Sequence, residues 1–163
     1  MLLVVILLQL GDMVMIEMFF DDFKLADRFT SPGITVTEGM IIDFALVYDP
    51  QPFHLDAEAA AHTHFGGLIA SGIQTLALGF RAFLELGVFR ACSMGSPGLD
   101  ELRWLRPVRP GDTIHSEAEI IDVRPSQSKP DRGMLVLAFK ILNQRGEEVL
   151  TMRNMQLTRR RQR

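Results

Sequence analysis

Cysteine is nearly absent: the 163-residue chain has one, Cys92. A single thiol cannot form an internal disulfide, and it excludes any multi-cysteine zinc or iron–sulfur site. A reduced thiol in a cytoplasmic protein is the expectation. Long apolar runs are also missing. No stretch reaches the roughly 18 apolar residues of a membrane helix, so no membrane partner is expected. There is no G-X-Y period, and no GxGxxG or GxxxxGK run to cradle a nucleotide cofactor. What is there is ordinary for a globular domain. Apolar residues make up 47% of the chain and charged residues 23%, which leaves no compositional case for disorder. The length fits one domain that can bury a core without staples.

The net charge of −3 hides an asymmetry. Residues 1–99 carry 4 basic and 11 acidic side chains, whereas residues 100–163 carry 13 basic and 9 acidic ones. A basic half attracts anionic ligands. The terminal run Arg159-Arg160-Arg161-Gln162-Arg163 has no aromatic neighbours in sequence, so it reads as a frayed solvated tail and not as a nucleic-acid site. At the other end, Met1–Leu8 is apolar but has neither the basic n-region nor the small-residue cleavage site of a signal peptide. Met13, Met15 and Met18 are alternative starts. Residues 1–17 therefore read as an extension, 18–158 as the domain and 159–163 as a basic tail.

Within the domain, Ile34–Thr37 is a short β-branched run, and Thr37 is placed to cap a helix with Ile41, Phe44, Ala45 and Tyr48 on its apolar face. Pro50 and Pro52 must break that helix. Asp56 is placed to cap an Ala-rich turn at 57–61. The longest helical pattern runs from Ser71 to Phe89, apolar over most of its circumference, and predicts a buried helix. From Leu99 the period changes to two. The runs Leu99–Leu105, Thr113–Val123, Met134–Leu142 and Glu148–Thr158 are separated by Pro- and Gly-containing turns and predict an antiparallel meander. The expectation is an α+β domain whose sheet wraps a helix.

The chemistry concentrates in Asp49-Pro50-Gln51-Pro52-Phe53-His54-Leu55-Asp56. A carboxylate and an imidazole five residues apart on a proline-stiffened loop can act on one water as an acid–base pair. The same residues are also compatible with a helix end, a hydrogen-bonded loop histidine and an N-cap. His62 and His64, two apart, fall on different faces of a helix with no third ligand near, so no metal site is expected. His115 reads as a solvent-facing strand residue.

The 49–56 segment, followed by a Gly-containing turn into a long apolar helix, resembles the Asp-x-Asn-Pro-x-His-x-Asp motif of the MaoC-like (R)-specific enoyl-CoA hydratases. The similarity runs from about Phe19 to Thr158 and includes Phe20-Asp21-Asp22-Phe23, the 35–45 segment and Arg106-Pro107-Val108-Arg109-Pro110-Gly111-Asp112. The resemblance implies a hotdog fold: an antiparallel sheet wrapped around a central helix. It implies hydration of a 2-enoyl thioester to a 3-hydroxyacyl thioester, with Asp49 and His54 acting on water and the Gly72 N–H on the thioester oxygen. Gln51 and Ser71 would border the substrate, and Arg103, Arg106 and Arg109 would meet the phosphates of CoA, or else form a plain exposed strand face. CoA would enter as part of the substrate, with no separate cofactor. The implied assembly is a homodimer or a higher homo-oligomer. Three positions depart from the pattern: Gln51 replaces Asn, Ser71 stands where many hydratases have His, and Phe80 stands where a polar residue is frequent. A non-catalytic hotdog acyl-binding subunit and a hotdog thioesterase are the alternatives.

Overall fold

The computed structural model describes residues 17–162. Residues 1–16, almost all of the expected extension, and Arg163 lie outside the described residues. The elements follow in the order β1 (Arg28–Thr30), β2 (Ile34–Thr35), α1 (Glu38–Tyr48), α2 (Pro52–Leu55), α3 (Ala57–Ala61), α4 (Gly72–Leu84), β3 (Gly98–Trp104), β4 (Thr113–Pro125), β5 (Arg132–Leu142) and β6 (Glu148–Arg159).

Local chemistry sets the boundaries. The Thr37 hydroxyl accepts from the Met40 N–H at 3.2 Å and caps α1. Pro50 follows α1, and Pro52 opens α2 at the one position where a missing N–H costs nothing. The Asp56 carboxylate accepts from Glu58 N and Ala59 N at 2.9 and 3.0 Å and caps α3. Helix α4 stops at Leu84, five residues short of the expected end, because the next turn closes on Gly87, whose φ of 76° leaves the helical region.

Every strand run from 113 onward is a strand, and every pairing is antiparallel. The sheet has six strands in the order β1-β4-β5-β6-β3, with β2 also on β4. Leu135, Leu137, Phe139 and Ile141, which alternate in sequence, are all buried. The meander covers only β4-β5-β6. β3 pairs with β6 at the far edge, so the 105–112 link must cross to the other side of the sheet. It is fastened there by Val149 O to Leu105 N at 2.9 Å and by Val36 O to Gly111 N at 2.8 Å. The result is an α+β hotdog: a strongly paired sheet laid on α4.

Helix α4 and the sheet approach closely at Gly79. A Cβ there would stand 2.2 Å from Ile141 Cδ1, and the Gly79 carbonyl accepts from Ser116 Oγ at 2.7 Å. Phe83 is fully buried among Phe29, Phe89 and Phe139. The expectation of burial on every side is corrected. Phe80 and Leu76 are half-buried, Ile73 and Leu84 are exposed, and the buried face includes Gln74 and Thr75. Tyr48, expected on the apolar face of α1, is 73% exposed. One sheet is too narrow to cover the whole helix.

Cys92 is fully buried, and burial pushes its thiol up to about 11, so it offers no nucleophile at neutral pH. The basic end is not frayed. Arg159 belongs to β6, Arg160 Nε lies 3.2 Å from Asp21 Oδ1, and Arg161 Nη2 donates to Asp22 Oδ2 at 2.9 Å. The guanidinium groups of Arg160 and Arg161 stack over Phe20 and Phe19, aromatic partners that come from the opposite end of the chain.

Candidate active site

The Pro50–Pro52 break turns the chain sharply after α1, so Asp49, the residue that ends α1, faces His54 on α2. His54 Nε2 stands 3.3 Å from Asp49 Oδ2. The imidazole is almost wholly buried, whereas the Asp49 side chain retains 24% exposure, so the pair is reached from the carboxylate side.

Three neighbours fix this pair. His54 Nδ1 lies 2.7 Å from the Ile69 carbonyl. A carbonyl only accepts, so Nδ1 carries the proton, and Nε2 is the nitrogen left to exchange one. The Ser71 hydroxyl donates to Asp49 Oδ2 at 2.7 Å, and Gln51 Nε2 donates to Asp49 Oδ1 at 2.7 Å. These two hydrogen bonds, Ser71 first, together with the nearby imidazole, hold the Asp49 carboxyl below its usual value of 3.8. Asp49 is therefore an anion throughout the neutral range. Each carboxylate oxygen keeps a lone pair for a further donor.

Ser71 has a second task. Its Oγ accepts from Ile73 N at 3.2 Å and so caps α4. The first N–H of that helix belongs to Gly72 and has no acceptor among the described residues, which leaves it free, at the positive end of the helix dipole, for an oxyanion. The edge of the Trp104 indole packs on Gly72, and a Cβ at position 72 would stand 2.5 Å from Trp104 Nε1.

The structure thus brings Asp49, Gln51, His54, Ser71 and Gly72 together. The three arginines do not join them. Arg103 lies on the strand face opposite Trp104, exposed, bonded to the Leu102 carbonyl and without an acidic partner among the described residues. Arg106 is engaged by the Glu148 carbonyl at 2.8 Å and by Glu147 at 3.9 Å. Arg109 Nη2, on the exposed surface, donates to the Phe65 carbonyl at 2.5 Å. Phe80 packs against Phe139 in the core. His62 pairs with Glu58 on the surface, and His115, 28% exposed, lies near Glu117. Among the described residues no three His, Cys, Asp or Glu side chains converge to hold a metal, and no helix is long and apolar enough to cross a membrane.

Two participants escape sequence reasoning. Ile69 acts through its carbonyl, so its side-chain type carries no signal. Trp104 was legible as a strand residue, but its contact with Gly72 depends on how β3 meets α4.

Known proteins resemble this chain in sequence and in fold. The model of the MaoC like domain matches residues 25–136. The chain is 31% identical to the uncharacterized protein YdeM of Bacillus subtilis over 132 residues, 81% of this chain and 92% of that one. It superposes with a TM-score of 0.83 and 40% identity on the crystal structure of a MaoC-like dehydratase from Rhodospirillum rubrum, covering 90% of this chain and 99% of the other. The (R)-hydratase PhaJ1 of Pseudomonas aeruginosa shares the fold at a TM-score of 0.71 and 24% identity, covering 89% and 88% of the two chains. The family model spans the loop with its carboxylate and imidazole, the helix with its free N–H, strands β1 to β4 and the start of β5, and the chain belongs to the MaoC-like domain family.

Proposed function

We propose that this protein hydrates the double bond of a 2-enoyl thioester, and catalyses the reverse dehydration, with CoA as the thioester's carrier. The observation that carries the reading is the directed pair: a buried imidazole with Nδ1 committed to a carbonyl and Nε2 facing an ionised carboxylate, beside a free helix N-terminal N–H. Nε2, with the ring proton on Nδ1, and the carboxylate oxygens are all acceptors, so a water lying alongside the pair can donate to both partners.

In this mechanism His54 Nε2 takes a proton from water while the oxygen attacks C3. The electron pair of the double bond moves toward the carbonyl, and the developing enolate oxygen is stabilised by the Gly72 N–H. Asp49 orients the water, and the proton that His54 took is passed by way of Asp49 to C2, which returns both side chains to their starting states. One water serves both carbons, so its atoms add to one face of the double bond. The charged end of CoA is assigned to the exposed guanidinium groups of Arg103 and Arg106.

The dimer belongs to the same proposal. β3 is an edge strand, and Leu99 and Trp104 on it and Leu105 just after it are exposed, as are Ile73 on α4 and Leu46, Val47 and Tyr48 on α1. Pairing two such edges covers this surface and removes an aggregation-prone strand.

Absorbance and thiol assays test the reaction together. Loss of the enoyl-thioester band without release of free thiol is the expected result. Thiol release would mean hydrolysis, and no change with any enoyl-CoA chain length would favour a non-catalytic subunit.

A further inference from the structure

The resemblance places Arg109 at a phosphate, yet its exposed guanidinium donates to a neutral backbone carbonyl. We propose that Arg109 is a positioning residue for the dyad, holding the backbone segment that fixes the tautomer of His54; the activity arm of this inference rests on the hydratase reading. The segment is 65–70. Its Ile69 carbonyl accepts from His54 Nδ1, and its Ile69 N–H donates to the Phe53 carbonyl at 3.2 Å. Both ends are fastened from the same link. The Val108 carbonyl accepts from Ala70 N at 2.8 Å, and Arg109 Nη2 donates to the Phe65 carbonyl at 2.5 Å.

The fastening matters because the middle of the segment is weak. Gly66 and Gly67 lie there with φ of 66° and 152°, conformations that cost glycine little and that it leaves as readily. Arg109 Nη1 stands 3.5 Å from where a Cβ at Gly67 would be, so the guanidinium lies against Gly67. The Phe65 ring packs on Phe53 at 5.2 Å, and Phe53 meets the His54 ring edge-on at 4.5 Å, so displacement of Phe65 is felt at the imidazole. The arm itself starts from a fixed point. Arg109 N donates to Asp112 Oδ2 at 2.8 Å, and the buried Asp112 is held in turn by Gln144 Nε2 at 2.8 Å.

A phosphate contact and a positioning role differ in where the loss falls. Removing a uniform binding contact raises KM and leaves kcat, whereas misplacing a catalytic base lowers kcat. Arg109→Ala is expected to lower kcat about tenfold to a hundredfold with KM nearly unchanged, and Arg109→Lys, which keeps a donor for Phe65, is expected to recover much of it. A rise in KM at constant kcat would overturn the proposal. Long-range proton–nitrogen spectra of histidine-labelled protein supply a readout independent of activity, with the His54 signal identified by its loss in His54→Gln. The wild type should show His54 protonated at Nδ1, and Arg109→Ala should show a mixture of tautomers. An unchanged Nδ1–H tautomer in Arg109→Ala would overturn the proposal, even if the wild type proved inactive on every enoyl-CoA. Inactivity of the wild type with a disturbed tautomer in the variant would instead reject the hydratase reading and retain the positioning role.

Discussion

Asp49 carries its charge before any substrate arrives, because Ser71 and Gln51 each donate to one of its oxygens. The stability consequence has a definite sign. A carboxyl whose folded pKa lies below its ordinary value of 3.8 stabilises the fold above that value, and the contribution is lost as pH falls through the depressed folded pKa. Ser71 supplies the largest part of the depression. Ser71→Ala should therefore cost about 1.5 kcal/mol through the charged hydrogen bond at pH 7, the lower end of the range for charged partners because Asp49 is partly exposed. That part of the cost should shrink toward pH 3, leaving the loss of the α4 cap, a separate cost of about 0.5–2 kcal/mol that does not titrate. Denaturant unfolding of wild type and variant at the two pH values measures it. A penalty identical at both would show that the Ser71–Asp49 hydrogen bond does not favour the ionised form.

Elements differ in how plainly their sequences announce them. β5 was legible because Leu135, Leu137, Phe139 and Ile141 alternate and the buried face follows the alternation. The caps of α1 and α3 were legible because Thr37 and Asp56 act within three residues. The end of α4 was not. Leu86, Val88 and Phe89 continue its apolar pattern, yet they pack on the core from turns on either side of Gly87. The place of β3 was also hidden, since nothing in residues 98–104 says that the strand pairs with β6 across the sheet from β4. The site divides in the same way. Asp49 and His54 were legible because one stiff loop carries both. Ser71 reaches Asp49 across 22 residues, and Ile69 reaches His54 through a carbonyl. Arginine spacing along a strand could not reveal that Arg109 turns back onto Phe65, because that contact spans 44 residues.

The whole molecule poses one structural and one chemical test. A single protomer leaves Trp104 and Leu105 exposed at the free side of the edge strand β3, with Ile73 and Tyr48 also exposed, and light scattering at micromolar concentration should give the mass of a dimer. A monomer mass would remove the proposed pairing of β3 edges. The central claim is chemical: Asp49 and His54 act as one unit on one water. Groups that act as a unit are not additive when removed. Steady-state hydration of an enoyl-CoA by Asp49→Asn, His54→Ala and the double variant tests this most directly. Each single change should lower kcat by roughly 10²–10⁴ with KM nearly unchanged, and the double variant should be little worse than either. Single variants that keep wild-type rates, or a double variant whose loss is the product of the two single losses, would contradict it.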